Sequence, residues 1–290
     1  MFLGSEALAA GAVTRHGLAR WHRRVHPNVY LDRFASVTLY DRMVGAWLWS
    51  GRDGIISGVA ASALHGAGWV DTTIPIELIA TRSRGTRGIT VRNERSAPDE
   101  RTSISELPVT TRARTAFDLA RHLPRDRALA RLDALMRAAP CTVDDVLALA
   151  ERYPGARGLK QLRRLIPLVD GGAESPKETW LRLLLIDAGF PIPTTQIPVY
   201  LNRRLFAVLD NGWEEFKVSA EYDGEVHRLL RHSYVKDHYR ERMLPKLGWL
   251  NVRVIKEDSV DGVIDRVCDA LRSRGWQGRP VYPARSRPRR

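Results

Sequence analysis

Four residues, Asp170-Gly171-Gly172-Ala173, constrain this chain more than any other stretch, because the hydrophobic pattern changes across them. Before them, apolar residues recur mostly at helical spacing; after them, alternating runs of period two are interleaved with helices. Adjacent glycines make a flexible joint. The 290 residues therefore divide into separate domains rather than building one core. The expected class is α+β multidomain, with an N-terminal winged helix and helical region and a C-terminal mixed β-sheet flanked by helices. The divisions read as 1–80, an N-terminal region; 81–170, a mostly helical linker domain; 173–275, the mixed domain; and 276–290, a tail.

Charge narrows the partner. Lys plus Arg number 46 against 33 Asp plus Glu, a formal +13 with a pI near 10.3. A surplus of that size favours a polyanion, because each neutralised phosphate releases counterions. An arginine preference serving solubility, or attraction to lipid, is the plainer account. Cys141 and Cys268 are too few and too far apart for a zinc knuckle or a disulfide framework. They read as buried small apolar side chains in a reducing compartment. Met1–Val13 is mildly apolar but lacks a basic start and contains Glu6, and no apolar run nears the roughly 18 residues of a membrane span. The expected location is the cytoplasm, with no membrane partner.

The N-terminal region reads as a helix (Ser5–Ala10), a turn, a helix from Thr14 to about Arg24 and an extended Val25–Leu31. Thr14 is an N-cap by residue type, and Arg15, Arg20, Arg23 and Arg24 make the second helix basic. Helix, turn, basic helix and short strands is the order of a winged helix, whose second helix enters the major groove. A solvated basic face on a helical hairpin gives the same pattern. Further on come helices over Val37–Ser50 and Gly58–Gly66, strands near Ile74–Ala80 and Gly88–Asn93, and helices over Thr111–His122, Ala128–Ala138, Val143–Ala150 and Gly155–Leu168. His65 reads as packing, and no catalytic constellation stands out before residue 170. The end, Arg272 to Arg290, holds seven arginines, three prolines and no acid, which predicts a disordered basic tail.

Several pieces of this half resemble the antitoxins of type IV, abortive-infection-type toxin–antitoxin systems. They are Asn28-Val29-Tyr30, Ser57 to Ala67 with Leu64-His65-Gly66, Pro75-Ile76-Glu77-Leu78, and the run from Leu107-Pro108-Val109-Thr110-Thr111 through Arg114-Thr115-Ala116-Phe117-Asp118 to Ala120. Together they span roughly residues 1–150. The resemblance implies a winged helix that binds double-stranded DNA, a helical domain after it, and a cognate toxin as partner. The helix–turn–helix part is shorter than the family's usual one.

Beyond the glycines, Ser175-Pro176-Lys177-Glu178 opens a helix with apolar Trp180, Leu181, Leu184, Leu185 and Ala188. Extended segments follow at about Gln196–Leu201, Arg204–Trp213 and Phe216–Tyr222, then a helix near Tyr234–Leu247, a strand Leu250–Ile255 and a helix Val260–Arg274. In the third segment Phe216, Val218, Ala220 and Tyr222 share one face, while Lys217, Ser219, Glu221 and Asp223 share the other. A hairpin turn near Glu214–Phe216 brings Asp210 level with Glu221. Carboxylates crowded in this way repel one another, and a hard divalent cation with oxygen ligands resolves the repulsion. Asn211-Gly212 is itself a strong type I′ turn signal, and a turn there moves Asp210 away, leaving an ordinary solvated strand end.

The set Glu178, Asp210, Glu221-Tyr222-Asp223-Gly224, His227, Asp237, Arg240 and Arg242 resembles the PD-(D/E)XK nuclease superfamily, in the branch related to very-short-patch-repair endonucleases. The likeness covers about residues 173–275. It implies Mg²⁺ (or Mn²⁺) held by Asp210 and Glu221, Asp223 as a third acid, His227 facing substrate, and hydrolysis of phosphodiester bonds. The superfamily's lysine, two residues after the Glu, is here Asp223; Lys236, Arg240 or Arg242 are the cations that would replace it. Glu178 also has a purely structural reading, as the acid of a capping box with Ser175. Asp237 and Arg240 fit a simple i,i+3 ion pair as well. The alternative to an enzyme is an antitoxin-like regulator whose C-terminal domain no longer cuts.

Overall fold

The computed structural model describes residues 1–80, 85–224 and 238–283. Two compact units divide at the glycine joint, Met1–Val169 and Asp170–Arg290.

The first unit opens with β1 (Phe2–Leu3), α1 (Gly4–Ala9), α2 (Arg15–Trp21), β2 (His22–His26), β3 (Val29–Asp32) and α3 (Leu39–Trp49). A small sheet of order β1-β3-β2 closes the module. Asn28, at a left-handed φ of 61°, turns β2 into β3, and its side-chain amide exchanges two hydrogen bonds with Ser5 at the start of α1. Gly4 is required beside it, since a Cβ there would lie 2.6 Å from the Tyr30 ring. The second helix stops at Trp21, earlier than its basic run suggests. Arg23 and Arg24 lie on β2 instead, paired with Leu31 and Tyr30. Burying Val29 and Leu31 on β3 needs β2 as an extended partner, and that pairing overrides continuation of the helix.

Next come β4 (Ile55–Ser57), α4 (Gly58–Leu64), β5 (Ile76–Ile79), β6 (Ile89–Arg92), β7 (Arg101–Ile104) and β8 (Leu107–Thr110). They form a mixed sheet of order β6-β5-β4-β8-β7, in which β4 pairs parallel with β8. The division expected after residue 80 passes through this sheet. The three-residue β4 and the adjoining β7 and β8 are too short to show a period. Met43 and Ala46 of α3 pack against Ile56, Ile76, Leu78 and Ile89. A layer of helices completes the unit: α5 (Arg112–His122), α6 (Arg125–Ala138), α7 (Val143–Arg152) and α8 (Leu159–Leu165). At its centre α5 touches α4, α6, α7 and α8, and buries all of Arg114 through Arg121.

The second unit runs α9 (Pro176–Asp187), β9 (Thr194–Leu201), β10 (Arg204–Trp213), β11 (Val218–Tyr222), α10 (238–243), β12 (Leu250–Val254) and α11 (Val260–Arg272). Its mixed sheet has the order β12-β11-β10-β9, antiparallel except for β11 with β12. Val218 and Ala220 pack with Leu181 and Leu185 of α9 and Val263 and Val267 of α11. Ile197, Val199 and Leu209 pack with Leu244 and Trp249. The β10–β11 turn falls at residues 214–217, and Asn211-Gly212 stays in strand. Gly212 pairs with Ser219 on one side and Thr194 on the other, so two ladders hold it against the local turn preference.

The expected disordered tail needs correction over 276–283. Trp276 packs on Phe190 at 5.1 Å between ring centroids, Val281 N–H donates to Ala188 O at 2.8 Å, and Tyr282 OH donates to Asp265 at 2.7 Å. One tryptophan and one tyrosine anchor a segment whose composition reads as solvated.

Candidate functional site

Three charged clusters compete for attention. The first is the face of α2. Thr14 caps the helix, its Oγ1 accepting from Gly17 N–H at 3.0 Å. Leu18 is the one residue of α2 that is fully buried, so Arg15 and Arg20 project outward. The Arg20 guanidinium lies 4.9 Å from the centroid of exposed Trp21. Arg23 donates to Ala35 O at 2.8 Å and Arg24 is exposed, so the four basic residues divide between helix and strand.

The second cluster lies at the end of β10 and β11. Asn211 pairs with Ala220, which puts Asp210 opposite Glu221 as the turn position requires. Glu221 is only 6% exposed, not a solvated strand end. One of its oxygens accepts from Arg240 of α10, and the other accepts from Asn251 of β12 at 2.6 Å. Arg240 also donates to Val208 O at 2.7 Å, which fixes the guanidinium. Asp210 is pushed up to about 7 by burial, then by the charges of Glu221 and Glu178, with Arg240 opposing. Glu178 N–H donates to Ser175 Oγ at 3.2 Å, while the Glu178 carboxylate accepts from Glu174 N–H at 2.7 Å. Glu178 thus serves the helix start and also adds to the field on Asp210.

Asp223, where the superfamily lysine would stand, pairs with Arg253 at 3.4 Å. Arg242 is exposed on α10. His227, Lys236 and Asp237 lie outside the described residues. Asn251 and Arg253 escaped the sequence reading, and alternation along β12 beside β11 was the signal for them. Asp210, Glu221 and Glu178 are all hard oxygen donors, the type Mg²⁺ takes, but among the described residues their oxygens do not converge within 4.8 Å as those of a ready ligand set would. A cation at Glu221 would share that carboxylate with Arg240.

The third cluster was not foreseen. Within α5, Arg114 and Asp118 are i,i+4 partners and Asp118 and Arg121 are i,i+3 partners, all nearly inaccessible. Arg114 Nε donates to both Asp118 oxygens at 3.1 Å, and its Nη1 reaches Glu100 and the Arg95 carbonyl. Arg121 Nη2 bridges Glu94 at 2.6 Å and Asp118 at 2.9 Å. His122 meets Glu94 at 2.9 Å, and Arg152 and Tyr153 meet Glu100 at 2.8 and 2.6 Å. Burial works to raise Glu94, yet His122 and Arg121 hold it down near about 2. Glu94, Asp118 and His122 bring three ligand atoms within 4.8 Å of one another, but arginines already occupy the two carboxylates. The signal was in the run Arg114 to Ala120, where an arginine and an aspartate interrupt an otherwise apolar helix. His65, by contrast, does pack as expected, meeting the Thr110 carbonyl at 2.8 Å.

This helix lies inside a recognisable domain. Residues 57–168 match the model of the AbiEi antitoxin C-terminal domain. Two uncharacterized proteins of Mycobacterium tuberculosis, from different strains, are each 32% identical over 200 residues, covering 68% of this chain and 73% of theirs. The chain belongs to the family of these mycobacterial proteins. Its AbiEi-type domain begins at the end of β4 and stops one residue before the first unit does. The buried charges of α5 are therefore features of that domain. Among the described residues, no helix is long and apolar enough to cross a membrane.

Proposed function

We propose that this chain is an antitoxin-like DNA-binding protein. Its N-terminal module acts as a winged helix, and the AbiEi-type domain serves a cognate toxin system. The observation that carries the reading is the basic, capped α2 with outward Arg15 and Arg20, in the same compact unit as an AbiEi-type domain that starts at residue 57. A helix held by a single buried leucine and bearing arginines outward suits phosphate contact in a groove. Fluorescence anisotropy of the full chain on duplex DNA tests it. Log K should fall by about 0.9 per log unit of salt for each phosphate neutralised, and Arg15→Ala/Arg20→Ala should reduce that slope by about 2. Affinity indifferent to salt, or unchanged in the double variant, rejects the reading.

A second reading is favoured by Arg240, which stands beside Glu221 and acts on Asp210 from the helix that follows the missing lysine. In it the C-terminal unit is a phosphodiesterase of the PD-(D/E)XK kind, with Asp210 and Glu221 holding Mg²⁺ or Mn²⁺, Glu178 behind them, and Arg240 steadying the phosphate. The ion would lower the pKa of its bound water and offset charge on the phosphate. Incubation with supercoiled plasmid decides. Nicking that needs a divalent ion and disappears in Glu221→Gln, with duplex binding intact, would move this reading to first place.

A further inference from the structure

We infer that the cavity over α5 in the AbiEi-type domain is a binding site for a small phosphate-bearing organic molecule. The cavity measures about 680 Å³, and its lining includes Arg95, Arg114, Arg121, His122, Tyr153 and Arg157. That volume is in the range of small-molecule sites and far larger than a bare ion needs.

The cations along this wall exceed their partners. Arg114 and Arg121 answer Glu100 and Asp118, Arg152 answers Asp99, and Glu94 is shared between His122 and the two buried arginines. Arg95 and Arg157 also line the cavity; their carbonyls hold Arg114 and Arg121, while their own guanidiniums are committed to no carboxylate among the described residues and are exposed. Deeper in, Arg121 has a side chain 2% exposed, and its buried Nε has no hydrogen-bond partner. A guanidinium donor left unsatisfied in the interior is costly, and a ligand completes it only if Arg121 shifts toward the cavity it lines. Arg121 also stacks on Phe117, 4.2 Å from the ring centroid, which pins the fork in one orientation.

The ligand chemistry follows from these parts. A phosphate dianion presents several acceptor oxygens and matches the planar donor fork of arginine. A divalent cation is the rival occupant, since Glu94, Asp118 and His122 converge there. It would have to displace Arg121 from two carboxylates while facing an arginine-rich wall. Charge selects the anion. The organic part would occupy the volume beside Tyr153, which a bare phosphate leaves empty.

Calorimetric titration and thermal shift of the full-length, DNA-free protein test this, with ribose 5-phosphate and adenosine monophosphate as probes at ionic strength matched by sodium chloride. At least one monoester should bind saturably and raise Tm. The surface variant Arg95→Gln/Arg157→Gln should keep the unliganded Tm and bind about tenfold more weakly. Arg121→Lys, which keeps the charge and loses the fork, should weaken binding further. No saturable binding of either monoester up to millimolar concentration overturns the inference. So does equal binding by the surface variant, or stabilisation by Zn²⁺ or Mn²⁺ that Glu94→Gln abolishes. If the double variant instead loses only duplex DNA affinity, the arginines serve DNA and the small-molecule site is rejected.

Discussion

Two buried charge clusters in this chain solve the same physical problem in opposite ways. Around α5, acids and bases arrive together: Asp118 is held by Arg114 and Arg121, and Glu94 and Glu100 by arginine, histidine and tyrosine. At the end of β10 and β11, Asp210 meets Glu221 and Glu178 with Arg240 as the opposing cation. Glu94 is accordingly held near about 2, while Asp210 is pushed up to about 7. Around α5 each buried acid meets a cation, so the network contributes to the fold whether or not anything binds, although burial still raises Asp118 and surplus arginines line the cavity wall. An acid raised as Asp210 is favours a proton or a cation at its site, and perturbed acids of that kind are common at functional sites.

The largest effect should come from breaking the self-neutralised cluster. Arg114→Met partly strands Asp118, left with Arg121, and Glu100, left with Arg152 and Tyr153, and is expected to cost about 3 kcal/mol in urea denaturation. Removing the stranded charge as well, in Arg114→Met/Asp118→Leu, should recover part of that loss, because apolar replacement of a whole buried pair is often near neutral. A single-variant loss below about 1 kcal/mol would erase the contrast between the clusters.

Acid titration gives the next effect. Glu94 is depressed, so its contribution is full above its unfolded value near 4.5 and is lost as pH falls toward about 2. Glu94→Gln should therefore cost about 1–2 kcal/mol at pH 7 and flatten the acid limb of the stability curve. Urea midpoints measured from pH 2 to 7 check it; parallel curves for the two proteins contradict it.

Asp210 should behave in the reverse sense. Its folded value is raised, so the native state binds the proton more tightly. Stability is highest below about 3.8 and declines as pH rises toward about 7. Asp210→Asn should gain about 1–2 kcal/mol at pH 8 and nothing near pH 3.5. Destabilisation at pH 8 would mean that the ionised carboxylate is satisfied, and the preference for a proton or a cation at this site would be absent.

The contrast also explains what the sequence could and could not disclose. The second unit was legible because its signals are local: alternation around Ala220, the helix opened by Ser175 and Pro176, and the exit at Gly248 all appear where expected. Asp210 faces Glu221 because the turn falls at 214–217; the residues alone left that turn and Asn211-Gly212 open. The buried network was hidden because Glu94 and Glu100 reach α5 across about twenty residues, and their loop carries no period. Arg23 and Arg24 were misassigned to a helix because propensity favours it, whereas pairing with β3 decides. Trp276 and Tyr282 were outvoted by the arginines around them, although single aromatic anchors can order a tail.

The smallest predicted effect isolates Arg240, the cation that lowers Asp210 among the described residues. Arg240 Nη2 serves both the Glu221 carboxylate and the Val208 carbonyl, so charge and geometry can be separated there. Arg240→Lys keeps a positive charge on α10 but replaces the planar fork with a point donor. It should cost no more than about 0.5–1 kcal/mol, the worth of one neutral-acceptor hydrogen bond, and leave the Asp210 titration near about 7. Arg240→Gln keeps hydrogen-bonding capacity and removes the charge, so Asp210 should titrate higher still, because the force that lowers it is gone. Carboxyl carbon NMR titration of the two variants distinguishes these outcomes. If Asp210 moves equally in both, Arg240 acts by holding Glu221 in place rather than by its field.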